Sequence, residues 1–186
     1  MAHHHPPMDL LIEYATGTLP VAQSACVAAH LSYCQHCRQL VERLEDVGGA
    51  HLERLDPQPV GESVLESVMA RLDDPQPLRY APSEVSDTQL PGLLDRLING
   101  NYADLVWKRV TQSLSISYLK TGDPNHEFAL YRIAEGGRIP EHTHGGSEMT
   151  LVLRGGFADE SGEYHPGDFL VPVSYTHLRA HETHEN

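Results

Sequence analysis

The spacing His30-x3-Cys34-x2-Cys37 constrains this chain more than any other feature. One imidazole and two thiols at helical spacing converge on a point, and those donor types suit a tetrahedral zinc ion. On a helix, His30 and Cys34 stand one turn apart on the same face, and Cys37 closes the site from the start of the next apolar stripe. Zinc needs a fourth ligand. The residues offer two sources: a histidine of the His3-His4-His5 run, or Cys26 one turn before His30. A helical bundle this small has little core of its own, so a bound ion would supply much of its folding free energy.

The residues around this motif read as short helices. Asp9 to Ala15 form a brief amphipathic turn ended by Gly17. Pro20 opens a second helix with Ala22, Ala25, Cys26, Ala29, His30 and Tyr33 on one face. A third stripe, Cys37, Leu40, Val41, Leu44 and Val47, stops at Gly48-Gly49. A fourth helix carries Val64, Leu65, Val68 and Leu72, with Ser63-x-x-Glu66 as its capping box. A polar, proline-bearing stretch from Asp73 to Ser83 follows.

Beyond it the apolar period changes from 3.6 to 2. Ser113–Tyr118, Phe128–Ile133 and Met149–Leu153 read as strands, and Gly122-Asp123-Pro124, Gly136-Gly137 and Gly155-Gly156 as turns. The expected architecture is therefore multidomain, α plus all-β. A zinc-stapled helical domain occupies residues 1–75, a linker 76–98 and an all-β domain 99–173, with an atypical tail over 174–186.

Composition narrows the function. The net charge is −13, with four cations against eleven anions over residues 1–75 and nine against fifteen over the rest. Both halves are acidic, which disfavours direct binding to a nucleic acid backbone and suits a basic protein partner. No apolar run approaches the ~20 residues of a membrane helix. The opening Met1–Pro7 lacks the apolar stretch of a signal peptide. Three cysteines, two of them at metal-ligand spacing, fit a reducing cytosol.

A second cluster lies in the β half. The frame Gly136-x5-His142-x-His144-x3-Glu148-x6-Gly155 resembles the first motif of the cupins, which are jelly-roll barrels. On a strand His142 and His144 share a face, so both imidazoles enter the barrel, and Glu148 joins them after the Gly145-Gly146 turn. Two imidazoles and a carboxylate suit Zn, Mn, Fe or Ni. The resemblance implies a further histidine from a second motif. Pro172-x-Ser174-x-x-His177 fits that motif in part, which makes His177 the candidate. Ser174 to His184 resembles translated adaptor sequence, implying a barrel cut short at the C-terminus.

Together, the leading histidines, the H-x3-C-x2-C signature and the cupin frame resemble the ChrR family of zinc-binding anti-sigma factors. That resemblance implies His5, His30, Cys34 and Cys37 as the zinc ligands and leaves Cys26 to the core. It also implies a function. The helical domain would sequester an extracytoplasmic-function type sigma factor, and the cupin domain would sense oxidative or small-molecule stress and release it. The other reading of the same motifs is a metal-dependent cupin dioxygenase or isomerase with a zinc-bearing appendage. Tyr131 and Arg154 are then its nominal acid–base groups, though both fit ordinary strand surface.

Overall fold

The structure is a computed structural model and describes residues 2–72, 90–98, 102–137, 148–159, 162–171 and 179–181. Helix α1 spans Met8–Ala15 and buries Leu11. The Thr16 hydroxyl donates to the Ile12 carbonyl at 2.9 Å, and Gly17 at φ 70° then turns the chain through the left-handed region. Pro20 precedes α2 (Val21–Tyr33), where it needs no amide hydrogen. The buried face of α2 is mostly small: Ala22, Ala25, Cys26 and Ala29, with Val27 and His30.

Cys34 is extended (φ −115°, ψ 104°) and forms the corner between α2 and α3 (Gln35–Leu52). His30 and Cys34 therefore do not share one helix as the spacing predicted. Cys34 belongs to the joint, and its sulfur accepts the Cys37 amide at 3.4 Å, capping α3. Helix α3 also runs through Gly48-Gly49, where a stop was expected. Two glycines cost about 1 kcal/mol each in a helix, and a helix of this length absorbs that. Helix α4 (Ser63–Arg71) appears where predicted, but without the capping box. Glu62 is its N-cap, already in helical geometry, and no side chain caps it.

The stretch expected as a linker over 76–98 ends in a helix, α5 (Gly92–Leu97), which packs on α2. A 3-10 turn, Tyr102–Asp104, is tied to the β unit by Arg132, whose guanidinium lies 4.1 Å from the Trp107 ring centre and bonds the Tyr102 hydroxyl. The strands are β1 (Lys108–Arg109), β2 (Leu114–Tyr118), β3 (Ala129–Ile133), β4 (Thr150–Leu151), β5 (Gly156–Asp159), β6 (Gly162–Tyr164), β7 (Phe169–Leu170) and β8 (Arg179–His181).

Among the described residues the strand pairings are antiparallel, in the orders β1-β2-β3, β4-β7 and β6-β5-β8. Strand β8 falls within the stretch read as an atypical tail, yet it pairs with β5 from Gly156↔His181 to Ala158↔Arg179. The main core joins the two halves. Leu11, Leu19, Cys26, Val27, Cys34, Cys37 and Val41 of the helical unit cluster with Phe169 of β7, and Phe128, Met149, Leu151 and Val171 pack against them. A smaller cluster, Val152, Phe157 and Tyr164, lies within the β unit.

Candidate metal centre

Four potential ligands converge at the α2–α3 corner. His5 comes from the N-terminal arm, His30 from the last turn of α2, Cys34 from the corner and Cys37 from the first turn of α3. Their donor atoms all lie within 4.8 Å of one another. The His5 Nδ1 is 3.4 Å from the Cys34 sulfur and 3.5 Å from the Cys37 sulfur. Zn–S bonds of ~2.3 Å and Zn–N bonds of ~2.0–2.1 Å at tetrahedral angles give an S···N edge of about 3.6 Å. The spacing fits such an ion. His30, Cys34 and Cys37 are buried, and His5 is exposed on the solvent side.

The chemistry of His30 points the same way. Its Nδ1 lies 2.7 Å from the Gly167 carbonyl and donates to it. That bond fixes the tautomer with the lone pair on Nε2, and Nε2 is buried with no hydrogen-bond partner among the described residues. An orphaned imidazole nitrogen is costly in a protein interior, and a cation satisfies it. Burial, then the neighbouring His36, lowers the His5 pKa. Burial likewise lowers that of His30 and outweighs the opposing bond to Gly167. Both rings are thereby kept neutral, as ligands must be. Burial and the adjacent Cys34 push the Cys37 thiol above its ordinary value, a penalty that a divalent cation reverses. This cluster can hold a metal ion.

Cys26, the competing fourth ligand, is not part of the cluster. It is a buried core thiol whose pKa burial pushes up to about 12. His3 and His4, the other members of the leading run, serve through their backbone. Asp168, wholly buried, accepts the His3 amide at 2.5 Å and the His4 amide at 3.0 Å on Oδ1, and the His165 amide at 2.8 Å on Oδ2. Burial opposes ionisation of Asp168, but these backbone donors prevail and hold its carboxyl below the usual value.

Gly167, Asp168 and Phe169 lie just before Pro172-x-Ser174-x-x-His177, the part-match to a second cupin motif. Their contact with the metal cluster crosses 137 residues at Gly167 and 165 at Asp168. No local pattern signals such a pairing.

Of the second cluster, His142, His144 and His177 lie outside the described residues. Glu148 is half-buried just before β4. Burial raises the pKa of Tyr131 on β3, and the Glu148 carboxylate adds to the shift, which places Glu148 near that strand.

A family model described as the ChrR cupin-like domain matches residues 96–186. The anti-sigma-E factor ChrR of Cereibacter sphaeroides is 38% identical over 168 residues, covering 90% of this chain and 78% of that protein. A crystal structure of Rhodobacter sphaeroides SigE in complex with the anti-sigma ChrR contains a similar chain. The TM-score is 0.84 at 33% identity, covering 98% of this chain and 94% of that one. The helical unit, the antiparallel strands and these matches define a cupin-bearing regulator. This chain belongs to the ChrR family of anti-sigma factors.

Proposed function

We propose that this chain captures an extracytoplasmic-function type sigma factor through its helical unit and releases it on a signal received by the β unit. The observation that carries this reading is α4. Val64, Leu65, Val68, Met69 and Leu72 are all exposed, Leu65 at 69%, and no residue of the helix is buried. An apolar helix face without a core of its own is a surface for a protein partner. The similar ChrR chain was crystallised in complex with SigE, which supports a sigma factor as that partner here. The acidic surface suits a basic, DNA-binding protein. The role is regulatory rather than enzymatic, in keeping with the family.

In this reading His5, His30, Cys34 and Cys37 hold a zinc ion that cross-links the N-terminal arm to the α2–α3 corner. His142, His144, Glu148 and His177 take a second divalent ion, Zn, Mn, Fe or Ni, in the cupin unit. Residues 1–75 capture the partner and the β unit senses oxidative or small-molecule stress. Among the described residues no helix is long and apolar enough to cross a membrane, which accords with a regulator of cytoplasmic transcription.

Co-expression with an extracytoplasmic-function sigma factor from the same genome tests the proposal. The two proteins should co-purify, and a zinc chelator should separate them. Co-purification indifferent to chelation would remove zinc from the capture mechanism, and no co-purification with any such sigma factor would overturn the reading. Peroxide titration then separates release by oxidation of Cys34 and Cys37, which would eject the zinc, from release through the β unit with the zinc untouched. Sigma dissociation before zinc loss excludes oxidation of Cys34 and Cys37 as the trigger.

A further inference from the structure

The β unit reaches the metal cluster through one short loop. Pro166 and Gly167 lead into Asp168 and β7, and the loop is tied to the β4 region: the Gly167 amide donates to the Val152 carbonyl at 2.8 Å, and the Val152 amide to the Asp168 carbonyl at 3.0 Å. From that anchorage it makes two kinds of contact with the ligand set. The Gly167 carbonyl orients the His30 ring. The Asp168 carboxylate gathers the His3 and His4 amides, and the Phe169 amide donates to the His4 carbonyl at 3.0 Å, so the arm is pinned immediately before His5.

Gly167 is also shaped for this approach. At φ +95° an added Cβ would lie 2.8 Å from the Tyr33 Cβ on α2, so only glycine lets the loop press this close. Phe169 then seals the contact at 2% exposure, with its ring edge-on to His30 at 5.7 Å.

We propose that Asp168, together with the Gly167 carbonyl beside it, is the positioning group for the helical unit's ligand set. It fixes His5 through the arm and His30 through its ring, so the β unit sets how tightly the helical unit holds its ion. The inference rests on the reading that His5, His30, Cys34 and Cys37 bind one divalent cation, and it deepens that reading into a means of control. Partners that orient metal ligands are worth 10–100-fold in metal affinity when removed. The coupling is reciprocal: whatever loosens the loop weakens the ion, and the ion in turn steadies the loop. Strand β4 begins two residues after Glu148, so the loop is anchored to the strand that follows the cupin cluster.

The test uses the full chain and cobalt(II), whose thiolate charge-transfer absorption reports the cysteine site and is blind to a histidine–carboxylate site. Affinity is measured by competition with a chelator for wild type, Asp168→Asn, Asp123→Asn and His5→Ala. Asp123→Asn removes the same charge from a distant turn carboxylate that also accepts a backbone amide. The expected result is a 10–100-fold loss for Asp168→Asn, no change for Asp123→Asn and a larger loss for His5→Ala.

If His5→Ala binds cobalt like wild type, the four-ligand reading falls and takes the inference with it. If His5→Ala loses affinity while folded Asp168→Asn keeps it, the positioning role alone is overturned. Should Asp168→Asn fail to fold, hydrogen exchange on the wild type decides. Metal-dependent protection of the His3, His4 and His165 amides supports the proposal, and protection indifferent to metal overturns it.

Discussion

Helices α2 and α4 both carry apolar residues at helical spacing and meet opposite fates. Six residues of α2 are buried, between α1, α3, α5 and the β unit. None of α4 is. The face of α4 is Val64, Leu65 and Val68, whereas α2 repeats small residues and ends in His30 and the Cys34 corner, where the four-donor cluster and the 165–169 loop pack against it. The difference teaches that burial here follows the α2–α3 corner and not helical apolar spacing alone. The α4 stripe, outside that corner, stays exposed.

The sharpest way to break the comparison is to remove the metal. A chelator should unsettle the α2 corner. If the ion is present at 1,000 times its dissociation constant it contributes ~4 kcal/mol, and about 10 °C of melting temperature for a chain of this size. Calorimetry with and without chelator measures this, and an unchanged melting temperature would show that α2 is buried without help. Next in size, Leu65→Asp on α4 should weaken sigma binding by at least about 100-fold, as expected of a central interface anchor. It should leave stability within about 0.5 kcal/mol, because Leu65 is exposed among the described residues. A matching loss of stability would mean that α4 serves the fold.

The smallest effect separates a buried thiol from a liganding one. Cys26 has its pKa raised from 9.0 to about 12 by burial alone. The unfolded chain therefore ionises first as pH rises, and the folded state holds the extra proton. Stability owed to this group is intact below about pH 9 and falls above it, by roughly 1 kcal/mol at pH 10. Urea unfolding of wild type and Cys26→Ala from pH 8 to 10 should show a steeper fall in the wild type, the fall left in the variant belonging to groups such as Cys37 that burial also raises. The cobalt–thiolate absorption should survive in Cys26→Ala, and its loss would return Cys26 to the ligand set.

Features written in neighbouring residues were legible in the sequence. The spacing of His30, Cys34 and Cys37 announced a cluster of metal-type donors because all three sit around one corner. Gly17 and Pro20 bounded helices as punctuation should. The alternation from Leu114 to Tyr118 became β2, paired with β3 at Leu114↔Ile133. His5 was reached only through a family resemblance, since a ligand 25 residues from its nearest partner carries no spacing of its own. Helix α5 was missed because its six residues are too few for a period to show against the prolines before it.

The Ser63-x-x-Glu66 pattern misled because Glu62 had already entered helical geometry one residue earlier. Gly167 and Asp168 were illegible for the deepest reason. Their roles exist only when the two halves of the chain meet.

The clasp between Asp168 and the His3 and His4 amides spans 165 and 164 residues of a 186-residue chain. It cannot form until the chain has emerged from the ribosome through residue 168. Helices α1 to α3 can dock during translation, but the arm bearing His5 waits for the loop that pins it. A chain released early would thus carry a helical hairpin without its fourth corner fastened. Assembly order makes the fastened arm a sign that synthesis has run past residue 168.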